Sequence, residues 1–348
     1  MSVVAITGIS GYLGQRLFRV LDADPSVDRV IGIDVEDPEA TSPKLEFNRV
    51  DVRDPDLGKC LPGVDVLVHL AYALDPMRDE NLMRDVNVGG THNVLEAAGS
   101  AGVPRLAYVS AAVVYGAHPD NEVPLTERSP LRANADFAYA AHKLESEALV
   151  AAFAGGHPST AVVVFRPAIV FGPNVENFMS RALEAPRVVA VRGHTPPLQL
   201  VHEEDVAEAL ALAVRQPLSG VFNVCADGWL APAELAEIVG KRRIELPEAV
   251  AFSLAERLWR AGVSESPPGE LHYLMHPWVM SNERLKSIGW VPRHTNRETL
   301  EEALASHRPW VTVGRARVRK GDLARGAAAT IGAVGAVALM RRSRRRRA

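Results

Sequence analysis

Short β-branched runs alternate with segments of helical periodicity along the first two-thirds of the chain. Residues 3–7, 30–34, 46–52, 64–71, 105–110, 161–166 and 188–192 read as strands. Apolar residues recur at helical spacing near 13–22, 81–101, 139–153 and 203–215. Strands that alternate with helices predict right-handed βαβ crossovers and a mostly parallel sheet, an α/β fold wound on both faces. After residues 220–224 the pattern loosens, and Pro232, Pro247, Pro267, Pro268 and Pro277 interrupt it. A smaller mixed α/β lobe is expected there, together with the stretch after Gly172. No internal repeat is visible.

The first strand runs into Gly8, Ile9, Ser10, Gly11, Tyr12, Leu13 and Gly14, after which Leu17, Phe18 and Leu21 continue a helical stripe. A strand, a glycine-rich turn and a helix N-terminus form a site for a dinucleotide pyrophosphate. Backbone N–H groups and the helix dipole attract the anion, and missing side chains let it approach. The expected fold is therefore the doubly wound Rossmann sheet with a smaller substrate lobe. The expected division is 1–172 with 199–225 for the cofactor domain, 173–198 with 226–312 for the lobe, and 313–348 for a tail. Asp34 ends the second strand about twenty residues past the last glycine of the turn, where an acid accepts hydrogen bonds from the adenosine ribose and repels a 2′-phosphate. Val35, Glu36 and Asp37 follow, and no Lys or Arg appears until Lys44, so NAD is the expected cofactor. Asp51 and Val52 at the next strand end, and Leu70 and Ala71 after His69, are further expected contacts.

Composition changes the picture at two points. Cys60 and Cys225 are the only cysteines, which excludes a disulfide framework and fits a reducing compartment. Met1 leads directly into the first strand, which predicts no signal peptide and a cytoplasmic location. The net charge of −3 conceals an acidic body and a basic end, since Arg315 onward carries a single acid, Asp322, among many Lys and Arg. Residues 326–340 are uncharged and rich in Gly and Ala, and Arg341, Arg342 and Arg344 to Arg347 follow. That run is short for a membrane span. Peripheral contact with an anionic inner membrane face, a disordered tail and nucleic-acid contact stay open; nothing aromatic supports the last.

Tyr139 and Lys143 stand four apart on a helical segment, one turn from each other on one face. A nearby ammonium favours phenolate, so Tyr139 is expected as general acid/base with a lowered pKa. At this point the chain resembles the extended short-chain dehydrogenase/reductase family, in its NAD-dependent epimerase/dehydratase group. The residues that carry the resemblance are the glycine turn, Asp34, Asp51-Val52, His69-Leu70-Ala71, Asn87-Val88 with Gly90-Thr91, and Val114-Tyr115-Gly116. Tyr139 with Lys143, Arg166-Pro167 with Gly172-Pro173, Val201-His202 with Asp205, and Gly289-Trp290 with Pro292 complete the set. The resemblance implies an oxidoreductase or an epimerase/dehydratase that transfers hydride, with Lys143 holding the nicotinamide ribose and Pro167 near the cofactor. It also implies a homodimer through the long helices.

The resemblance places a serine or threonine at position 111, which here is Ala111, with Ser110 beside it. Strand alternation turns Ser110 elsewhere unless the strand end bulges. Three readings follow: Ser110, Tyr115 or water supplies the hydroxyl, the chemistry does without it, or the protein is an NAD-binding scaffold or sensor without turnover. Members acting on nucleotide sugars carry an arginine where Leu198 stands, with Arg192 or Arg187 as substitutes. The substrate expectation is thus divided between a sugar nucleotide and a hydrophobic alcohol or ketone. Trp229, Leu230, Phe252, Leu254, Leu258, Trp259 and Trp278 read mostly as lobe core. His118, His142 and His202 read as loop, helix-surface and strand-end residues rather than metal ligands.

Overall fold

The computed structural model describes residues 1–313 and 316–319. The strands are β1 (Ser2–Thr7), β2 (Val27–Asp34), β3 (Leu45–Arg49), β4 (Val66–His69), β5 (Arg105–Val109), β6 (Ala161–Pro167), β7 (Ile169–Phe171), β8 (Val188–Val191), β9 (Leu200–His202) and β10 (Gly220–Val224). The helices of the same region are α1 (Tyr12–Asp22), α2 (Glu80–Arg84), α3 (Gly90–Ser100), α4 (Ala138–Gly156), α5 (Phe178–Ala182) and α6 (Glu203–Arg215). Seven parallel strands lie in the order β10-β6-β5-β4-β1-β2-β3. β8, in the segment 188–192 read as a strand, lies outside this sheet, whose edge beside β6 is β10.

Both faces of the sheet are covered, which explains the near-continuous β-branched runs. Val4 and Ile6 of β1 pack with Leu17 and Leu21 of α1 and Leu210 and Val214 of α6. Ala5, between them, joins Leu67, Leu106, Val94, Leu95 and Val150 on the other face, under α3 and α4. Strand order reverses between β1 and β4, so a crevice opens where their C-terminal ends part. The glycine turn and the segment after His69 both lie there.

The helix expected over 81–101 is interrupted. A π-helical turn, Asp85–Gly89, separates α2 from α3. Asn87 in that turn is fully buried, accepts from Ala73 N–H at 2.7 Å and donates to Ala73 O at 3.1 Å. The irregular turn thus clamps the loop after β4, a functional use of a local break in the ladder.

The lobe pairs β8 in parallel with β11 (Arg243–Leu246) and adds α7 (Pro232–Val239), α8 (Glu248–Ala261), α9 (Glu283–Lys286) and α10 (Asn296–His307). Asp205 at the start of α6 seams it to the sheet, accepting the N–H groups of Arg293 at 2.9 Å and His294 at 3.0 Å, while Trp290 donates to its carbonyl at 3.1 Å. Of the apolar residues expected in the lobe core, Leu230 is buried, whereas Trp229, Leu254 and Leu258 are exposed. His142 is buried rather than on the helix surface.

The basic stretch is partly folded. β12 (Trp310–Val313) and β13 (Ala316–Arg319) form an antiparallel hairpin. Arg317 donates at 2.7 Å to the fully buried carboxylate of Glu184, which also receives Thr312 and, at 2.6 Å, His307. Burial works against that charge, but these three partners outweigh it and hold the Glu184 carboxyl below its ordinary range. The Gly/Ala-rich run and the terminal arginines, for which membrane contact, disorder and nucleic-acid contact stay open, lie outside the described residues. Among the described residues no helix is long and apolar enough to cross a membrane.

Candidate active site

The crevice is a cleft of about 340 Å³ at the C-terminal edge of the sheet. Its floor is backbone. Gly8 has φ +77°, and a Cβ there would lie 2.6 Å from Ala71 N; one on Gly14 would lie 2.6 Å from Ile9 O. Neither position can carry a side chain without moving main chain. α1 opens at Gly11 with no side-chain cap, so its first-turn N–H groups face the cleft unspent. Asp34 accepts from Ser10 N–H at 2.9 Å, Val35 N–H at 2.7 Å and Glu36 N–H at 3.2 Å, which fixes its carboxylate between the glycine turn and the end of β2. A cradle closed to Cβ atoms, free helix N–H groups and a positioned carboxylate fit a dinucleotide with a free ribose 2′-hydroxyl.

A polar relay stiffens this edge. Thr7 donates to His69 Nδ1 at 2.7 Å, His69 Nε2 donates to Thr91 Oγ1 at 3.0 Å, and Thr91 donates to Asn87 O at 2.6 Å. The directions follow from the last bond: Thr91 spends its proton on a carbonyl, so it accepts from the ring, and Nδ1 is left to accept from Thr7. Burial, aided by the charge of Lys143, pushes His69 down to about 3, so the imidazole is neutral.

Lys143 and Tyr139 rise from α4 into the same cleft as Ser110 and Ala111, which follow β5. The Lys143 ammonium donates to Val109 O at 2.8 Å and sits 3.4 Å from the centroid of the Tyr72 ring, against 5.9 Å for Tyr139. Burial pushes Lys143 down to about 7, opposed by Glu147 one turn along α4. The lowered phenol expected from the spacing is not what the geometry produces. Burial pushes Tyr139 well above its ordinary value, and Tyr12, Tyr108 and Tyr273 add to the rise. The ammonium lies over the face of Tyr72 and well away from the Tyr139 ring.

Ser110 departs from strand alternation because β5 ends at Val109. Both Ser110 and Ala111 line the cleft, and the Ser110 hydroxyl is buried with no hydrogen-bond partner among the described residues. Tyr115 is not available as a substitute. Its hydroxyl donates to Asn223 at 2.7 Å and accepts from Arg166 at 2.9 Å, and Arg166 forms a buried forked pair with Glu147 at 2.6–3.2 Å. That network braces α4 from behind.

Gly8, Gly11, Tyr12, Leu13, Gly14, Leu70, Tyr139, Lys143 and Pro167 all line the cleft with Ser110. Ile9 does not; it is buried beneath the turn against Gly32. Asp51 is turned to Arg53, at 2.7 Å, and Val52 packs under α3. Ser10, Asp34 and Ala71 stand beside the cleft rather than in its wall. Sequence reasoning missed Tyr72, the partner of Lys143, although its place directly after Leu70-Ala71 was a usable signal. It also missed Phe178 and Asn177, which α5 brings in when Asp75 accepts from Phe178 N–H at 3.0 Å; nothing local marks them.

A family model described as the NAD-dependent epimerase/dehydratase family matches residues 4–225. The chain belongs to that family. It is a family of enzymes, and its cofactor is NAD. An uncharacterized protein of Mycobacterium tuberculosis (strain H37Rv) is 30% identical over 311 residues, covering 86% of this chain and 82% of the relative. A 4-hydroxy-2-methyl-3-oxo-4-farnesyl-3,4-dihydroquinoline-1-oxide ketoreductase of Stigmatella aurantiaca is 28% identical, covering 85% of this chain and 94% of its own. The solved structure of MoeE5 in complex with UDP-glucuronic acid and NAD shares the fold, with a TM-score of 0.70 at 24% identity over 88% of this chain and 98% of that one.

In this epimerase/dehydratase-family chain a second cavity, of about 280 Å³, adjoins the first and is lined by β7, α5 and residues of the lobe. Ile169 of β7 and Met179 of α5 line both. Arg187 and Arg192, the candidate substitutes for an arginine at 198, are exposed and line neither cavity.

Proposed function

We propose that the chain is an NAD-dependent oxidoreductase of the extended short-chain dehydrogenase type, working on a carbinol or carbonyl carbon. The observation that carries this reading is the meeting of Tyr139, Lys143 and Ser110 with the glycine turn in one cleft. NAD, when bound, supplies the hydride acceptor or donor. Asp34 and the α1 N-terminus hold it, and Lys143 positions its nicotinamide end. Tyr139 exchanges the substrate hydroxyl proton, and burial, which raises its pKa, keeps the phenol protonated in the free protein. Ser110, with an unspent hydroxyl, orients the substrate oxygen in place of the serine or threonine that position 111 lacks. The Stigmatella relative, named a ketoreductase, supports a carbonyl substrate. The same reading puts the enzyme in the cytoplasm.

Tyr139→Phe is the test. Turnover falls by about 10²–10⁴-fold while NAD affinity is unchanged; full turnover in that variant overturns the mechanism. Ala111 favours a second reading, an NAD-binding scaffold with weak chemistry. On that reading NAD binds tightly, a broad panel of alcohols and ketones gives no turnover, and Ser110→Ala changes nothing.

A further inference from the structure

The second cavity differs in chemistry from the cleft it adjoins. Phe171, Leu183, Leu198, Leu235, Val239 and Leu300 supply its walls, drawn from β7, the end of α5, the segment just before β9, α7 and α10. Its polar members are His194, Thr195, Lys241, Arg243 and Glu270. Lys241 directs its ammonium at the Leu183 carbonyl, and His194 is hydrogen-bonded to the Met275 carbonyl at 3.2 Å. Arg243 is exposed, so it stands at the rim. The rim is otherwise apolar there: Val189 and Leu274 also line the cavity and are each 45% exposed.

Resting on the catalytic reading above, we propose that this cavity holds a single aliphatic or isoprenoid chain of the substrate, whose carbinol or carbonyl carbon lies beside Tyr139. Ile169 and Met179 line both cavities, so the two adjoin there; on this proposal one molecule passes between them, with its reacting carbon in the cleft and its chain beyond. A nucleoside diphosphate is the competing occupant, and the walls oppose it. Its phosphates would be stripped of water against Leu and Val side chains, with Lys241 and His194 already bonded to backbone carbonyls and Arg243 at the rim, and burying charge so sparsely paired is costly. The aromatic members give a base little face. Tyr273 spends its hydroxyl on the Val113 carbonyl at 3.0 Å and meets Phe137 and Trp278 edge to face, with rings inclined at 65° and 80°. A chain asks only for burial, and each methylene that enters raises affinity about fourfold, the equivalent of about 0.8 kcal/mol.

The experiment uses the full chain saturated with NAD and the neutral fluorophore N-phenyl-1-naphthylamine, displaced by 2-alkanones of increasing length. Displacement should strengthen about fourfold per methylene and level off when the cavity is full. Leu198→Arg places a guanidinium in the apolar wall and should weaken alkanone binding by more than about tenfold, whereas Leu198→Met retains it. Leu198 does not line the cofactor cleft, so NAD affinity should stay constant in both variants and report an intact fold. Leu235→Ala should move the plateau to longer chains. Alkanone affinity independent of length, or displacement of the fluorophore by UDP or dTDP at lower concentration than by the longest alkanone, overturns the proposal. The two readings fail separately. If Tyr139→Phe keeps full turnover while length dependence persists, the catalytic reading falls and the chain site stands. If Tyr139→Phe is inactive but length has no effect, the reverse holds.

Discussion

The two neighbouring cavities are built by opposite means. The cofactor cleft is made of main chain and fixed polar groups: a glycine turn closed to Cβ atoms, a carboxylate held by three N–H groups, and a neutral Thr7-His69-Thr91 relay. The adjoining cavity is made of apolar side chains brought from widely separated segments. The first arrangement recognises one ligand by geometry and tolerates little change. The second recognises a property, greasiness, and its shape is set by a few replaceable side chains.

That contrast can be broken by substitution. The largest effect is expected from Gly8→Ala, which forces a Cβ to 2.6 Å from Ala71 N at a backbone φ that costs about 1–3 kcal/mol for a non-glycine residue. NAD affinity measured by calorimetry should fall by on the order of 100-fold or more, as expected from a steric clash added to that strain. Alkanone affinity in the second cavity should change little.

Lys143→Met comes next and should move activity and stability in opposite directions. Turnover should drop by about 10²-fold, the lower end of acid/base effects. Burial holds the Lys143 proton affinity at about 7 against 10.5 for an exposed lysine. Between those values the unfolded chain binds the additional proton, so the wild-type fold gains stability as pH rises through that window. At about pH 6 the variant should therefore be more stable than wild type by on the order of a few kcal/mol, and the gap should close toward about pH 10. Denaturant unfolding of both proteins across that range checks the sign; a gap that widens with pH would be the wrong direction.

Asp34→Ala should lower NAD affinity about tenfold and narrow the preference for NAD over NADP, since the ribose partner and the repulsion of a 2′-phosphate go together. The sheet register adds to this by setting Arg49 of β3 beside Asp34, a cation that the spacing along the chain concealed. Steady-state KM values for the two cofactors decide it. Thr91→Val should have the smallest effect, about 1–3 kcal/mol of stability for an unpaired His69 Nε2 donor, with the alkanone profile unchanged.

Legibility in the sequence followed the same division. The glycine turn, Asp34, and Tyr139 with Lys143 are contiguous or helically spaced, so local pattern was enough to place them on a parallel sheet. The parts that depend on two distant segments meeting could not be read. Tyr72 meets Lys143 from a loop that Asn87, in the π-helical turn at Asp85–Gly89, grips at Ala73. The rise of the Tyr139 pKa reflects burial, which spacing does not encode. Ser110 enters the cleft because β5 stops one residue earlier than alternation assumed. Leu198 was noticed for what it is not; the cavity it helps to wall required β7, α5, α7 and α10 together.

The hairpin at the end of the described chain connects to this division in a way its position along the sequence conceals. Arg317 and Thr312 close on Glu184, just past α5, and α5 carries Met179, part of the partition between the two cavities. Cutting the polypeptide ahead of Trp310 would leave a buried carboxylate with His307 alone and slacken the partition from behind. Where a tag is fused or a tail trimmed is therefore a choice about substrate selection as well as about solubility.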